Sequence, residues 1–63
     1  MAKFVEFSLP GTAKQPVYVN VELLERIEQN IQGEAVFFFS NQQRLQVNET
    51  FESVGEIVGV VRG

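Results

Sequence analysis

Sixty-three residues with a formal net charge of −3 and 44% hydrophobic content bound the chain to one small domain, residues 1–63, in a size range where a single core barely offsets chain entropy. The sequence holds no cysteine, histidine or aspartate, which excludes a disulfide framework, a structural zinc, mixed metal sites and the usual nucleophile–base pairs within one chain. The cations Lys3, Lys14, Arg26, Arg44 and Arg62 are scattered, so nucleic acid is disfavoured as a partner, and no apolar run reaches the length of a bilayer span.

Lys3 to Leu9 alternates, with Val5, Phe7 and Leu9 on one face and Phe4, Glu6 and Ser8 on the other, which predicts a half-buried strand. Pro10-Gly11-Thr12 turns the chain. Pro16 to Asn20 places Val17 and Val19 on one side and Tyr18 on the other, and the short connection predicts an antiparallel hairpin of unspecified register.

Residues 20–33 support two readings. In the first, Asn20 caps a helix whose apolar stripe is Val21, Leu24, Ile27 and Ile31, with Glu22 and Arg26 four apart and Gly33 at its end. In the second, one helical turn over Val21 to Glu25 precedes a strand in which Ile27 and Ile31 share a face, and Gln32-Gly33 turns into Ala35. Periodicity weighs them equally.

Ala35-Val36-Phe37-Phe38-Phe39-Ser40 carries three adjacent phenylalanines, so one strand presents aromatic rings on both faces. If Asn41-Gln42 is a two-residue hairpin loop, Phe38 pairs with Leu45 and Phe37 with Gln46. The core face is then Val36, Phe38, Leu45 and Val47, and the opposite face is Phe37, Phe39, Arg44 and Gln46; a three-residue loop shifts this pairing. Downstream, Phe51, Val54, Ile57, Val58 and Val61 recur at helical spacing behind a cap at Asn48 or Thr50, predicting a helix across the core face. Gly55 and Gly59 sit together beside that stripe. They read either as a small-residue groove for a close-approaching partner or as glycines tolerated in a marginal helix.

The expected fold is therefore α+β: a small, mainly antiparallel sheet of four to five strands with a C-terminal helix packed on one face. Glu22, Glu25 and Glu28 are spaced as a solvated face, while Glu49, Glu52 and Glu56 suit helix solubility and the helix dipole. No glycine pattern matches a phosphate loop, and Asn48-Glu49-Thr50 reads as a cap rather than a glycan acceptor. No catalytic, cofactor-binding or metal-binding residue is assigned, and the chain is not expected to be an enzyme. A site assembled between chains from glutamates is the one catalytic arrangement left open.

The expected contact surface is Phe37, Phe39, Arg44 and Gln46 with Gly55 and Gly59, since aromatics and arginine are enriched at contact hot spots. A second copy is the simplest partner, because a domain of this size without disulfide or metal has oligomerisation as its remaining support. Two alternatives stand beside it. Segment 20–33 could cover the second face from within the chain, or Phe37 and Phe39 beside Arg44 could form the base-stacking platform of a nucleic-acid-binding regulator. No basic-then-apolar stretch marks export, so a cytoplasmic location is expected.

The succession Val17-Tyr18-Val19-Asn20, Leu23-Leu24, Ile27-Glu28, Val36 to Asn41, Leu45-Gln46-Val47, Glu49-Thr50, and Val54 with Ile57-Val58 resembles the small flagellar FlbD-like family of bacterial motility proteins. The resemblance covers about residues 17–61. Where that family commonly shows Asn-Gly in the hairpin and a more basic C-terminal end, this chain has Asn41-Gln42 and Val58-Gly59-Val60-Val61. The resemblance implies an accessory role in motility through protein contacts, favours the strand reading of residues 26–31, and transfers no catalytic residue.

Overall fold

A computed structural model of the chain describes residues 2–11 and 13–59, so Thr12 and the expected helical Val61 lie outside the described residues. The elements run β1 (Phe4–Ser8), β2 (Pro16–Asn20), a 3-10 turn (Val21–Leu23), β3 (Leu24–Gln29), β4 (Glu34–Phe39), β5 (Arg44–Thr50) and α1 (Phe51–Val58). The class is α+β with antiparallel strands and a C-terminal helix, as the sequence leads one to expect. The single sheet of four to five strands is not formed: β1–β2 is one sheet and β3–β4–β5 another.

The division has a local cause. In the first hairpin Val5 faces Val19 and Phe7 faces Val17. Hydrogen bonds from Leu9 N to Gln15 O and from Val21 N to Lys3 O, 2.8 and 2.9 Å, show that odd-numbered residues of β1 turn their backbone groups toward β2. The Ser8 amide therefore points away from β2 and toward β5. There it donates to both carboxylate oxygens of Glu49, each at 3.0 Å, so a side chain takes the place that a backbone carbonyl would fill in a continuous ladder.

Segment 20–33 follows the second reading. The Asn20 side chain accepts from Glu22 N, Leu24 N–H closes the turn onto Val21 O, and Leu24 is already extended at φ −70°, ψ 135°. A bulge lies between Leu24 and Arg26, inserting Glu25 out of register with β4. Two residues three apart, Leu24 and Ile27, therefore both reach the inner face, opposite Phe39 and Phe37. That spacing is what imitates a helical stripe in the sequence. Ile27 and Ile31 do not share a strand face, because β3 ends at Gln29 and Ile31 is fully exposed in the turn.

The two hairpins of the larger sheet are closed by the same device. After β3 the turn Ile31-Gln32-Gly33 ends with Gly33 at φ 86°, held by Gly33 N to Asn30 O at 3.0 Å. After β4 the turn is Ser40-Asn41-Gln42, with Gln42 at φ 69°, Gln42 N to Phe39 O at 3.0 Å and Phe39 N to Gln43 O at 2.9 Å. This three-residue loop moves the β4–β5 register by one: Phe37 faces Leu45, Phe38 faces Arg44 and Val36 faces Gln46. A shift of one residue turns every side chain to the other face. The expected facing of β4 is corrected accordingly: Ala35 and Phe37 are fully buried, whereas Val36 and Phe38 lie on the outer face; Val47 and Leu45 of β5 stay on the core side, as expected.

One core serves both sheets. Phe7 and Val19 come from the first sheet, Ala35, Phe37 and Val47 from the second, and Val54 from α1. The Phe7 and Phe37 rings meet edge to face, and Phe39 stands edge-on to Phe37 with centroids 6.4 Å apart. α1 starts at Thr50, whose side chain accepts from Ser53 N at 3.2 Å; of the two caps the sequence offers, Asn48 is not the one used. It ends at Gly59, in the left-handed conformation at φ 77° that a residue without Cβ adopts freely. Of the apolar stripe, Val54 is buried and Ile57 is largely exposed.

Candidate interaction surface

A groove of about 570 Å³ lies between β3 and α1. Its apolar wall is Val21, Leu24 and Ile27 from the strand side and Phe51, Gly55 and Val58 from the helix side. Glu25, Arg26, Gln29 and Glu52 line its polar margin. The groove exists because the Glu25 bulge turns Leu24 and Ile27 inward while the helix, started by Thr50 directly after β5, packs on β4 and β5 as well as on β3.

β3 pairs with β4 on one side only; its other edge has no strand neighbour among the described residues. An unpaired edge presents backbone donors and acceptors in a row and is a template for a further strand. On the outer face above this edge, the Arg26 guanidinium lies 4.0 Å from the centre of the Phe38 ring and its Nε donates to Glu28 Oε2 at 2.7 Å. Gln46 Nε2 donates to Glu34 Oε1 at 2.9 Å nearby. Arg26 is thus the cover for the second aromatic face of β4, and it comes from segment 20–33 of the same chain.

The six residues expected to form one interface are distributed over three places. Phe37 is fully buried in the chain's own core and offers no free contact surface, and Phe39 is partly buried against that core; the extra residue in the β4–β5 turn is the reason. Arg44 and Gln46 lie on the outer face beside Phe38 and Val36. Gly55 lines the groove, and Gly59 ends α1 rather than continuing a small-residue ridge with it. Leu24, Arg26, Ile27 and Glu28, which define the open edge, are absent from that expected set. Their signal in the sequence is the alternation Arg26-Ile27-Glu28, opposite charges flanking an apolar residue.

Among the described residues no three His, Cys, Asp or Glu side chains converge as a metal-binding group would require, and no buried side-chain polar atom lacks a partner. Among the same residues no helix is long and apolar enough to cross a membrane. No protein-family model, curated protein or solved structure matches the chain.

Proposed function

We propose that the chain is a non-enzymatic protein-interaction module that acts as a homo-oligomer. The observation that carries this reading is the open edge of β3 running beside the apolar groove it shares with α1. Together they offer backbone hydrogen bonding and apolar burial along one line, the two elements by which a strand is added to a sheet. The flagellar FlbD-like resemblance supports an accessory role in motility exercised through such contacts. It spans the segment that builds both the edge and the groove.

The nucleic-acid-binding alternative draws no support from the geometry. Its stacking platform needs Phe37 and Phe39 exposed, and both rings face the interior. The ring on the outer face, Phe38, is covered by Arg26.

Sedimentation equilibrium over a wide concentration range tests the proposal. A reversible dimer or larger assembly is the expected result, and a monomer at every concentration would overturn self-association. The motility role is tested separately, by whether the gene lies among flagellar genes.

A further inference from the structure

We infer that the occupant of the β3 edge is β3 of a second copy, paired antiparallel around a two-fold axis through Ile27. This rests on the self-association proposed above and specifies its register. The hydrogen-bond parity of the edge comes first. Asn30 N donates to Glu34 O at 2.9 Å, and the register Glu28 to Val36 and Arg26 to Phe38 continues from it. Arg26, Glu28 and Asn30 therefore turn their backbone groups toward β4, and Ile27 and Gln29 turn theirs outward. An added antiparallel strand must bring its own outward residues opposite these.

Self-pairing within that parity leaves three central registers. An axis through Arg26 sets Arg26 against Arg26 of the second copy, and an axis through Glu28 sets Glu28 against Glu28 of the second copy; both put like charges directly opposite. An axis through Ile27 sets Arg26 against Glu28 of the second copy and Glu28 against its Arg26. In that register Ile27 exchanges backbone hydrogen bonds with its own copy, and the charged pairs fall at the intervening positions, where opposed side chains stand closer. A protective edge repels in every register; this one repels in two and attracts in the third.

The surroundings agree. Arg26 and Glu28 are each about half exposed, at 55% and 53%, so guanidinium and carboxylate groups are accessible beyond their mutual contact. Leu24 and Ile27 line the groove on the inner side, so the two-fold axis brings two grooves together across the junction. The edge of β2, by contrast, opens with Pro16, which has no amide to donate, and carries no charged residue. The assembly is a six-stranded antiparallel sheet spanning both copies.

The test is charge exchange, read by sedimentation equilibrium, with circular dichroism confirming that each variant is folded. Arg26→Glu and Glu28→Arg are each expected to weaken the dimer by about tenfold or more, since both oppose like charges across the axis. An equimolar mixture of the two variants restores association, because every acidic position then faces a basic one, and the double variant Arg26→Glu/Glu28→Arg restores it within one chain. Glu28→Arg also brings the net charge closer to zero, so general repulsion predicts tighter association for this variant where the register predicts weaker.

A second measurement does not depend on charge. The chain has no cysteine, so Ile27→Cys introduces a single thiol. In the inferred register two such residues stand about 5.5 Å apart at Cα, within disulfide range, and oxidation yields a covalent dimer. Tyr18→Cys on β2 does not. An oligomeric protein in which the single reversals leave association unchanged, or in which the mixture fails to restore it, or in which Ile27→Cys does not cross-link, overturns the β3 pairing while the self-association reading stands. A monomeric wild-type protein overturns both.

Discussion

The rings of Phe7 and Phe37 meet edge to face, with centroids 4.9 Å apart and planes inclined at 69°. One ring belongs to the two-stranded sheet and the other to the centre of the three-stranded sheet, so this contact joins the two halves of the fold. Removing either ring leaves a cavity at the junction.

Phe37→Ala is therefore expected to lower stability by about 3–5 kcal/mol, a large share of what a domain of this size possesses. Phe38→Ala, on the outer face beneath Arg26, is expected to cost roughly 1–2 kcal/mol, because the half-buried ring loses less burial and one cation–π contact. Urea unfolding of the two variants distinguishes them. Equal losses, or a larger loss for Phe38→Ala, would contradict the register of the β4–β5 hairpin.

That comparison bears on what the sequence discloses. The alternation in β1 and β2, with Val5, Phe7, Val17 and Val19 inward, is legible because no bulge interrupts it. The facing of β4 is not, because it turns on whether the loop holds two residues or three, and Gln42 gives no outward sign that it adopts positive φ. β3 is obscured by its own bulge, which spaces Leu24 and Ile27 as a helix would. The contact surface follows the same error: Phe37 and Phe39 look exposed only in the register that the turn rejects. Where the two sheets part, the Ser8 amide is taken by a side-chain acceptor, Glu49, 41 residues away, a pairing that no local pattern announces.

The paired turns make a second prediction. Gly33 and Gln42 occupy the same left-handed position of two like turns, but only one is glycine. Gln42→Gly relieves the Cβ strain and is expected to stabilise by about 0.5–1 kcal/mol after its larger unfolded-state entropy is subtracted. The melting temperature should rise by roughly 2–8 °C. Gly33→Ala should shift it the opposite way, by about 1 kcal/mol or more.

The start of α1 makes a third. Thr50 accepts from Ser53 N, so Thr50→Ala is expected to cost about 1 kcal/mol. Asn48→Ala, at the other position with a capping side chain, should change stability by less than about 0.5 kcal/mol. Thermal melts of the two variants decide it, and a reversed order would place the helix start elsewhere.

Glu49 makes a fourth. Its carboxylate is the acceptor for the partly buried Ser8 amide, and Glu49→Ala is expected to cost about 1–3 kcal/mol. Glu49→Gln retains one carbonyl acceptor and should recover part of that loss. Chemical denaturation measures both, and an Ala variant as stable as wild type would show that water replaces the carboxylate without penalty.

A junction made by side chains, the Glu49 carboxylate and the shared apolar core, rather than by a backbone ladder, also sets the order in which the molecule comes apart. β4 is laddered on both sides and its amides are released to solvent only when the whole domain unfolds. The β1–β2 hairpin can lift away as a cooperative unit once the Glu49 acceptor and the core side chains Phe7 and Val19 let go, breaking no ladder of the larger sheet. Its amides then report a lower opening free energy in hydrogen exchange, and each opening lays bare the Phe37 ring. Protease nicking and off-pathway association of this protein would begin from that opened form rather than from the fully unfolded chain.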